Sequence, residues 1–261
     1  MNDPSTSPGP LPELFQFSFS HYNEKARWAL DYKGVPHERR TLLPGPHMAT
    51  MLAMTGKTKT PALKTADEVI TGSAQIIEWL EQRHPEPALF PKDDHERREA
   101  LRLQTWFDGE IGTRVRRAIF FDTLPDGAYL AGFMSEGFPP TTRRMYRLGF
   151  PVLRVLMKAD MKIDAAGAAA GRDRTREALD FVARAGGYLV GNRFSVADLT
   201  AAALLSVTVF PPEFPATPPE PVSPGFTRWL DRWKEHPGTK WVLEMYRKHR
   251  GTTAAVATNP A

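Results

Sequence analysis

The stretch from Phe17 to Leu30, FSFSHYNEKARWAL, changes its hydrophobic period without an intervening glycine or proline. Phe and Ser alternate over its first four residues, and a spacing of two is typical of a strand. Tyr22 and the residues four, seven and eight positions after it are apolar or aromatic, which is the spacing of one helix face. The stretch therefore predicts a strand, a sharp turn and a helix.

Ser20 stands at the junction between the two periods, and two roles fit it. Its hydroxyl can cap the helix by accepting a hydrogen bond from an amide of the first turn. A hydroxyl at a helix N-terminus, just past the end of a strand, is also well placed to meet an anion. Both roles stay open at this point.

The composition excludes several classes of protein. The chain has 261 residues, 41% of them hydrophobic, which predicts one large or two modest domains. The net charge of +4 is spread along the chain, which does not indicate a nucleic-acid partner. There is no cysteine, so disulfides, thiolate metal sites and a cysteine nucleophile are excluded. The seven histidines show no pair at helical ligand spacing, so we expect no metal.

The chain also lacks the marks of membrane or secreted proteins. The N-terminal MNDPSTSPGP has neither a basic nor an apolar region of the kind a signal peptide needs. The longest apolar stretch, around TAAALLSVTVF, is too short to cross a bilayer. We therefore expect a soluble, cytoplasmic protein without a membrane partner.

The periodic segments divide the chain into two parts. Residues 13–84 alternate as a βαβ unit, a β-hairpin and a helix, and the proline-rich residues 85–92 are typical of a linker. Residues 93–250 carry only helical patterns, among them one interrupted by Pro151, which we expect to kink or divide its helix. Residues 1–12 and 251–261 are proline-rich, or small and polar, so we expect disordered tails.

A capping signal opens one helix of the second part. Ser195 and Asp198, three residues apart in FSVADL, have the spacing of a capping box with Asp in place of Glu. The two side chains are expected to satisfy amides at a buried helix start, which is a structural role.

The order of the motifs resembles that of the glutathione transferase family. SHYNEKARWAL, then TPAL, then GSAQIIEWLEQ, a proline linker and FSVADLT span nearly the whole ordered chain. The resemblance implies an α/β thioredoxin-like N-terminal domain followed by an all-α C-terminal bundle. It also implies glutathione as a co-substrate bound mainly by the first domain, a homodimer, and a part in detoxification.

The resemblance assigns residues to the glutathione site. Pro61 in TPAL matches the family's cis-proline, and Thr60 before it would pair its backbone with the cysteinyl part of glutathione. Ser73 matches the serine that opens the third helix and holds the γ-glutamyl carboxylate. Lys57 or Lys59 would meet the glycyl carboxylate. Ser20 falls on the reactive position, as in the serine-type transferases.

Two positions depart from the family pattern. Relatives with a similar first helix often carry Cys where this chain has Asn23. Most members have an acidic residue or Gln where this chain has Gly72, and losing that side chain removes a partner for the α-amino group of glutathione. Gly72 also follows a strand and precedes a helix, so it can occupy a backbone conformation that a β-carbon would strain.

Thiol activation is the chemistry that Ser20 would allow. A free thiol has a pKa of about 8.5, so a site must stabilise the thiolate, which is the nucleophile. The hydroxyl can donate a hydrogen bond to sulfur while the helix N-terminus adds a favourable field. A decrease of about two units in the thiol pKa corresponds to roughly 2.7 kcal/mol. Asn23 can support Ser20, contact the ligand or be solvated, and His21 is expected to be exposed.

The second substrate would meet the first long helix of the second part. A face with an aromatic start and a cationic end recurs there at spacings of three and four, and its members are Trp106, Glu110, Thr113, Arg114 and Arg117. An ordinary amphipathic helix that packs Trp106 and exposes the rest explains the same pattern. If the face is functional, the acceptor is apolar with an anionic group.

Two functions follow from these residues. The first is a glutathione transferase that activates the thiol for attack on an electrophilic, largely apolar small molecule, or for a related isomerisation or reduction. The alternative is a non-catalytic protein that binds an apolar ligand on the same fold. Gly72 and Asn23 favour the binding protein, whereas Ser20, Pro61 and Ser73 favour the enzyme.

Overall fold

The computed structural model describes residues 9–256, which form two compact units. Unit 1 comprises the chain up to residue 88 together with the segment after residue 250. Unit 2 comprises residues 89–250.

Unit 1 is built on a four-stranded sheet. The strands are β1 (Glu13–Gln16), β2 (Glu38–Thr41), β3 (Ala62–Lys64) and β4 (Val69–Thr71), and the helices are α1 (His21–Tyr32), α2 (His47–Thr55) and α3 (Ser73–Arg83). The strand order is β2-β1-β3-β4, in which β1 pairs in parallel with β2 and antiparallel with β3, and β3 pairs antiparallel with β4. The helix and turn predicted from residues 17–30 and the hairpin followed by a helix are confirmed. The strand is not where the alternation placed it: β1 ends at Gln16, and residues 17–20 form the turn, because the amide of Phe17 and the carbonyls of Phe17 and Ser18 bond to side chains of α1.

The core of unit 1 follows the hydrophobic periods of its helices. Trp28 and Leu30 of α1 and the predicted stripe of α3 (Ile76, Ile77 and Leu80) are fully buried. Trp28 and Leu30 are two residues apart and lie on different sides of α1, which is buried nearly all round, whereas the spacing of the three α3 residues places them on one face.

The C-terminal segment differs from the expected disordered tail. The amide of Ala254 and the hydroxyl of Thr253 donate to Asp31 Oδ1 at 2.8 and 3.1 Å, and the amide of Val256 donates to the carbonyl of His37 at 2.9 Å. Asp31 is a buried carboxylate that needs donors, and a short polar segment supplies them whatever its own helix or strand propensity. Residues 1–8 and 257–261 of the predicted tails lie outside the described residues.

Residues 89–250 form helices joined by irregular segments and contain no strand, which confirms the predicted all-α second part. Its helices are α4 (Asp94–Trp106), α5 (Thr113–Thr123), α6 (Gly127–Met134), α7 (Pro140–Asp160), α8 (Ala165–Ala185), α9 (Val196–Leu205), α10 (Pro224–Asp231) and α11 (Pro237–His249). Helix α7 continues through Pro151 as one helix, so the proline does not divide it. Of the helices described between residues 9 and 256, none is long and apolar enough to cross a membrane.

The first long helix of unit 2 contains a π-helical turn that the sequence pattern did not predict. The turn spans Phe107–Gly112 and joins α4 to α5. A π turn takes more residues than an α turn, so it rotates the residues after it relative to those before it. A face counted at spacings of three and four therefore does not continue unchanged across the junction.

The capping box at the start of α9 is confirmed. The amide of Ala197 donates to Ser195 Oγ at 3.3 Å, and the amide of Ser195 donates to Asp198 Oδ2 at 2.9 Å. Every residue of α9 is buried, so these amides have no access to water and need side-chain partners.

Candidate functional site

Three segments of unit 1 meet at one end of the sheet because of the strand register. Phe15 of β1 lies opposite Ala62 of β3, and Ala62 lies opposite Thr71 of β4. Because both pairs are antiparallel, the end of β1, the start of β3 and the end of β4 share one edge. The turn that carries Ser20, the Thr60–Pro61 bond and the start of α3 therefore come together there.

Ser20 is the N-cap residue of α1, as the sequence predicts. Its backbone is extended, with φ −84° and ψ 126°, and its Oγ accepts a hydrogen bond from the amide of Asn23 at 3.4 Å. The side chain is half-buried. The long capping bond uses the hydroxyl oxygen as acceptor, so the hydroxyl proton remains available for donation.

Asn23 supports the turn that precedes Ser20. Its Oδ1 accepts from the amide of Phe17 at 2.5 Å, and the residue is only 1% exposed. Its Nδ2 is enclosed and has no hydrogen-bond partner among residues 9–256. Burial excludes solvation of Asn23, and its side chain holds the turn through Phe17 rather than through Ser20. Its contact with the ligand stays a prediction.

Arg27 is a second support of the turn that the sequence pattern did not reveal. This fully buried guanidinium donates from all three of its nitrogens. Its acceptors are Glu24 Oε2 at 2.8 Å, Gln16 Oε1 at 2.5 Å and the carbonyls of Phe17, Ser18 and Ser20 at 3.1, 2.9 and 3.4 Å. The planar fork of arginine suits such a set of fixed acceptors. A charge pair three residues apart on a helix is more often solvent-exposed, and for this reason the sequence did not single it out.

The turn before β3 and the start of α3 are joined by a backbone hydrogen bond. The Thr60–Pro61 bond is cis, and Pro61 is buried with Thr60 half-buried. The amide of Gly72 donates to the carbonyl of Pro61 at 2.9 Å. Ser73, the first residue of α3, is buried beside them.

Gly72 has a backbone conformation that glycine alone adopts readily. Its φ is +96° and its ψ is 142°. A β-carbon at this position would lie 2.4 Å from Gln75 Oε1, so the exposed Gln75 carboxamide occupies the space that a side chain at position 72 would enter. Of the two explanations of this glycine, the backbone requirement is the one that the geometry supports.

Two lysines lie on the segment between α2 and β3, and a histidine lies at the start of α2. Lys57 and Lys59 are exposed. His47, which the sequence did not single out, opens α2 with its Nε2 2.9 Å from the carbonyl of Thr58 and its ring edge-on to Phe17 at 4.7 Å. Burial lowers the pKa of His47, while its contacts with the backbone of Thr58 and Leu43 oppose that shift. The sequence feature that could have identified His47 is its place directly after Pro44-Gly45-Pro46, at the start of a predicted helix.

His21 differs from its expected exposure. It is 4% exposed, and its ring packs against Tyr22 at 4.8 Å between centroids. The first turn of α1 therefore buries its histidine, because the helix enters the core immediately after its cap.

The predicted acceptor residues of unit 2 each have a local contact. Trp106 packs edge-on against Phe181 at 5.4 Å. Arg114 donates to Glu110 at 3.2 Å, and Arg117 donates to the carbonyl of Met161 at 3.1 Å.

Thr113, the fifth member of that set, donates to the carbonyl of Gly109 at 3.1 Å. These contacts and the intervening π turn agree with an ordinary packed amphipathic helix, which was the alternative to an acceptor-binding face. The acceptor role of the five residues stays a prediction. Residues 9–256 contain no group of three or more His, Cys, Asp or Glu side chains that could hold a metal ion.

Two family models match the chain. A glutathione S-transferase N-terminal domain model matches residues 14–88, and a glutathione S-transferase C-terminal domain model matches residues 165–232. The chain belongs to the glutathione S-transferase family. The resemblance stated from SHYNEKARWAL, TPAL and FSVADLT is thus confirmed, as is the fold class of this glutathione S-transferase family member.

Curated relatives match parts of the chain. Maleylpyruvate isomerase from Ralstonia sp is 38% identical over 84 residues, which is 31% of this chain and 40% of that protein. FtsZ-localized protein A from Caulobacter vibrioides is 31% identical over 142 residues, which is 53% of this chain and 50% of that protein. The chain thus spans half or less of the length of these relatives.

Solved structures match nearly the whole chain. FzlA from C. crescentus is 25% identical with a TM-score of 0.53, covering 90% of this chain and 92% of that one. The theta class glutathione S-transferase from Xanthomonas axonopodis pv. citri, solved with glutathione bound, is 20% identical with a TM-score of 0.55, covering 94% and 99%. The second likeness shows the glutathione S-transferase fold alone.

Proposed function

We propose that this protein is a glutathione-dependent enzyme in which Ser20 stabilises the glutathione thiolate. The observation that supports this most is the position of Ser20 at the N-terminus of α1, in a turn held by the buried Asn23 and Arg27. A hydroxyl fixed in this way is pre-organised to donate to an anion, and fixed dipoles stabilise charge without reorganising. The partial positive charge at the N-terminus of α1 also stabilises the thiolate.

The neighbouring segments supply groups of the kind that glutathione requires. We assign the backbone of Thr60, beside the cis bond to Pro61, to the cysteinyl part, and Ser73 at the start of α3 to the γ-glutamyl carboxylate. A carboxylate suits the N-terminus of α3, since helix N-termini bind anions through their unpaired amides. Lys57 or Lys59, both exposed, is assigned to the glycyl carboxylate.

Transfer or isomerisation at a conjugated double bond is the reaction class that we propose. The thiolate sulfur forms a bond to one carbon of an electron-poor double bond, and the electron pair moves to the conjugated carbonyl. Protonation of the resulting enolate at carbon completes a transfer. Rotation followed by loss of the thiolate instead restores the double bond as its isomer. The similarity to maleylpyruvate isomerase supports isomerisation as one outcome. We assign the acceptor to the residues predicted from the sequence between Trp106 and Arg117, which the π turn divides into two groups.

The test compares two serines of the same turn. We expect Ser20→Ala to lower the rate of thiol attack about tenfold or more, which corresponds to at least 1.4 kcal/mol of thiolate stabilisation. Loss of the cap should cost only about 1 kcal/mol of folding stability. Ser18→Ala is the matched control, because only the carbonyl of Ser18 is used by Arg27. The pH dependence of the thiolate ultraviolet absorbance of bound glutathione gives the thiol pKa, which should rise in Ser20→Ala alone. Equal turnover in the two variants would remove Ser20 from the mechanism.

A binding protein without catalysis is the second candidate. Its support is the likeness to FtsZ-localized protein A, at 31% identity over 142 residues, and to the FzlA structure, at 25% over 90% of the chain. Retention on immobilised glutathione and turnover of a panel of electrophiles support the enzyme. Failure of both, with co-sedimentation with FtsZ polymers, would support the binding protein. In either case we propose a homodimer in the cytoplasm, which sedimentation and cell fractionation test.

A further inference from the structure

Helix α7 presents an apolar surface away from the core. Five of its side chains form one stripe, in which each is between 60% and 68% exposed, and the stripe consists of Met145, Leu148, Val152, Val155 and Leu156. Their spacings of three, four, three and one place them on a single face of an α-helix. The outer face of a packed helix is normally polar, so this α7 stripe needs an explanation.

The opposite face of α7 already supplies the packing that holds the helix in unit 2. Tyr146, Phe150 and Met157 are buried on that face, and the Tyr146 hydroxyl lies 3.8 Å from the sulfur of Met134 in α6. The α7 stripe is therefore additional to the core-facing side of the helix. Exposed apolar patches of this kind mark surfaces that bind a partner or a membrane.

The charged residues of α7 are positive except at its last residue, the exposed Asp160. Residues 140–159 contain no Asp or Glu, and their basic residues are Arg143, Arg144, Arg147, Arg154 and Lys158. Throughout residues 9–256, no carboxylate forms an ion pair with any of these five cations. Arg144, Arg147 and Lys158 are exposed. At 100° per residue they lie on the helix side between the α7 stripe and the buried face.

The helical pair α6–α7 also lies outside both family matches. The two models match residues 14–88 and 165–232, whereas α6 and α7 span residues 127–160. What this surface does is therefore not implied by the matched domains.

We propose that α7 binds the surface of membranes that contain anionic lipids. The α7 stripe would insert at the boundary between headgroups and acyl chains, and the neighbouring cations would contact lipid phosphates. Apolar residues on one helix face with Lys and Arg beside them are the features of a helix that lies in the interface plane. Each cation near an anionic leaflet contributes a favourable electrostatic term.

The charge and shape of the surface decide between this occupant and others. A second copy docked on this face would bring two sets of unpaired cations together, which opposes self-association through α7. A bound peptide usually needs a groove, and a single exposed helix face is convex. The expectation of no membrane partner was based on the absence of a spanning segment, and a helix that lies on a bilayer needs none.

Co-sedimentation of the full chain with lipid vesicles tests the proposal. We expect binding to vesicles of mixed phosphatidylglycerol and phosphatidylcholine to exceed binding to phosphatidylcholine alone by about tenfold or more, and to weaken as salt is added. Leu148→Ser with Val152→Ser should lower binding to the anionic vesicles about tenfold or more. Arg144→Glu with Arg147→Glu should abolish the preference for anionic lipid.

The control variant makes the same charge change on another helix of unit 2. Lys240→Glu with Arg247→Glu, both exposed on α11, should bind the vesicles as the wild type does. Circular dichroism of each variant confirms that it folds. Equal binding by the α7 and α11 charge variants would overturn the proposal, as would absence of binding at low salt. It would also be overturned if the α7 variants changed only the oligomeric state, since a second copy would then cover this face.

Discussion

At the scale of the residue, hydrogen-bonding capacity decides how the Ser20 turn is held. Arg27 can donate five hydrogen bonds in a fixed plane, and its acceptors in the turn are carbonyls that point inward. The Oδ1 atom of Asn23 accepts a hydrogen bond from the amide of Phe17. A buried charge is tolerated only when its donors are satisfied, so the turn and Arg27 stabilise each other.

Replacing Arg27 by Lys should therefore destabilise unit 1. The ammonium keeps the charge but cannot reach the separate acceptors with three donors on one atom, and leaving buried groups unpaired costs about 3 kcal/mol or more. Urea unfolding measures the loss. The control is Arg40→Lys, an exposed arginine paired with Glu13 and Glu38, which should unfold as the wild type does. Equal midpoints for the two variants would contradict the role given to Arg27.

Replacing Gly72 should also lower stability, because of its positive φ. A non-glycine residue held at this positive φ with an extended ψ costs roughly 1–3 kcal/mol, and Gln75 would have to move. Gly72→Ala and Gly72→Glu should both melt at lower temperature, and Glu should not tighten glutathione binding measured by calorimetry. Gly149→Ala, in an α-helix with open space around it, should be neutral or stabilising. A Gly72→Glu protein of wild-type stability and higher affinity would favour the missing-contact explanation.

At the scale of the element, helix α9 shows how burial changes the chemistry of a cap. Asp198 accepts from the amides of Leu189 and Ser195, at 2.7 and 2.9 Å, inside the core. Burial raises the pKa of Asp198 to about 6, although these hydrogen bonds oppose the shift. The carboxylate thus caps α9 at neutral pH at the cost of its own desolvation.

This pKa predicts a particular pH dependence of stability. The pKa of Asp198 is about 6 in the folded chain and 3.8 without burial, so the folded chain binds the proton of this carboxyl more tightly than the unfolded chain does. The stabilisation from this tighter proton binding is complete below pH 3.8 and is lost as the pH rises through 6. The stability of the wild type relative to Asp198→Asn should therefore fall by about 3 kcal/mol between those limits. Urea unfolding of the two proteins at each pH measures the difference. A difference that grows with pH would have the opposite sign and reject this pKa.

At the scale of the whole molecule, the end of the chain returns to the unit where the chain begins. Residues 253–256 bond to Asp31 and to the carbonyl of His37, next to the edge strand β2. The segment thus belongs to unit 1 in space although it follows unit 2 in sequence.

Truncation after Arg250 should consequently destabilise unit 1. Asp31 would keep Arg39 but lose two donors, and hydrogen bonds to charged groups contribute about 1.5 to 3 kcal/mol each. Hydrogen exchange should be faster in β2, and urea unfolding should begin earlier. Truncation after Val256 keeps these contacts and should behave as the full chain does. Identical exchange in the two truncated proteins would show that the segment contributes nothing to unit 1.

The sequence by itself determined the two-part architecture, the turn at Ser20, its cap, and the capping box at α9. These depend on hydrophobic period and on side chains within a few residues, which are properties of a local segment. The tertiary structure alone decided the roles of Arg27, Gly72 and residues 253–256, and it introduced the π turn into the predicted acceptor helix. Each of these depends on which distant groups the sheet register and helix packing bring within hydrogen-bonding distance, and no local pattern records the partner that a buried polar group will meet.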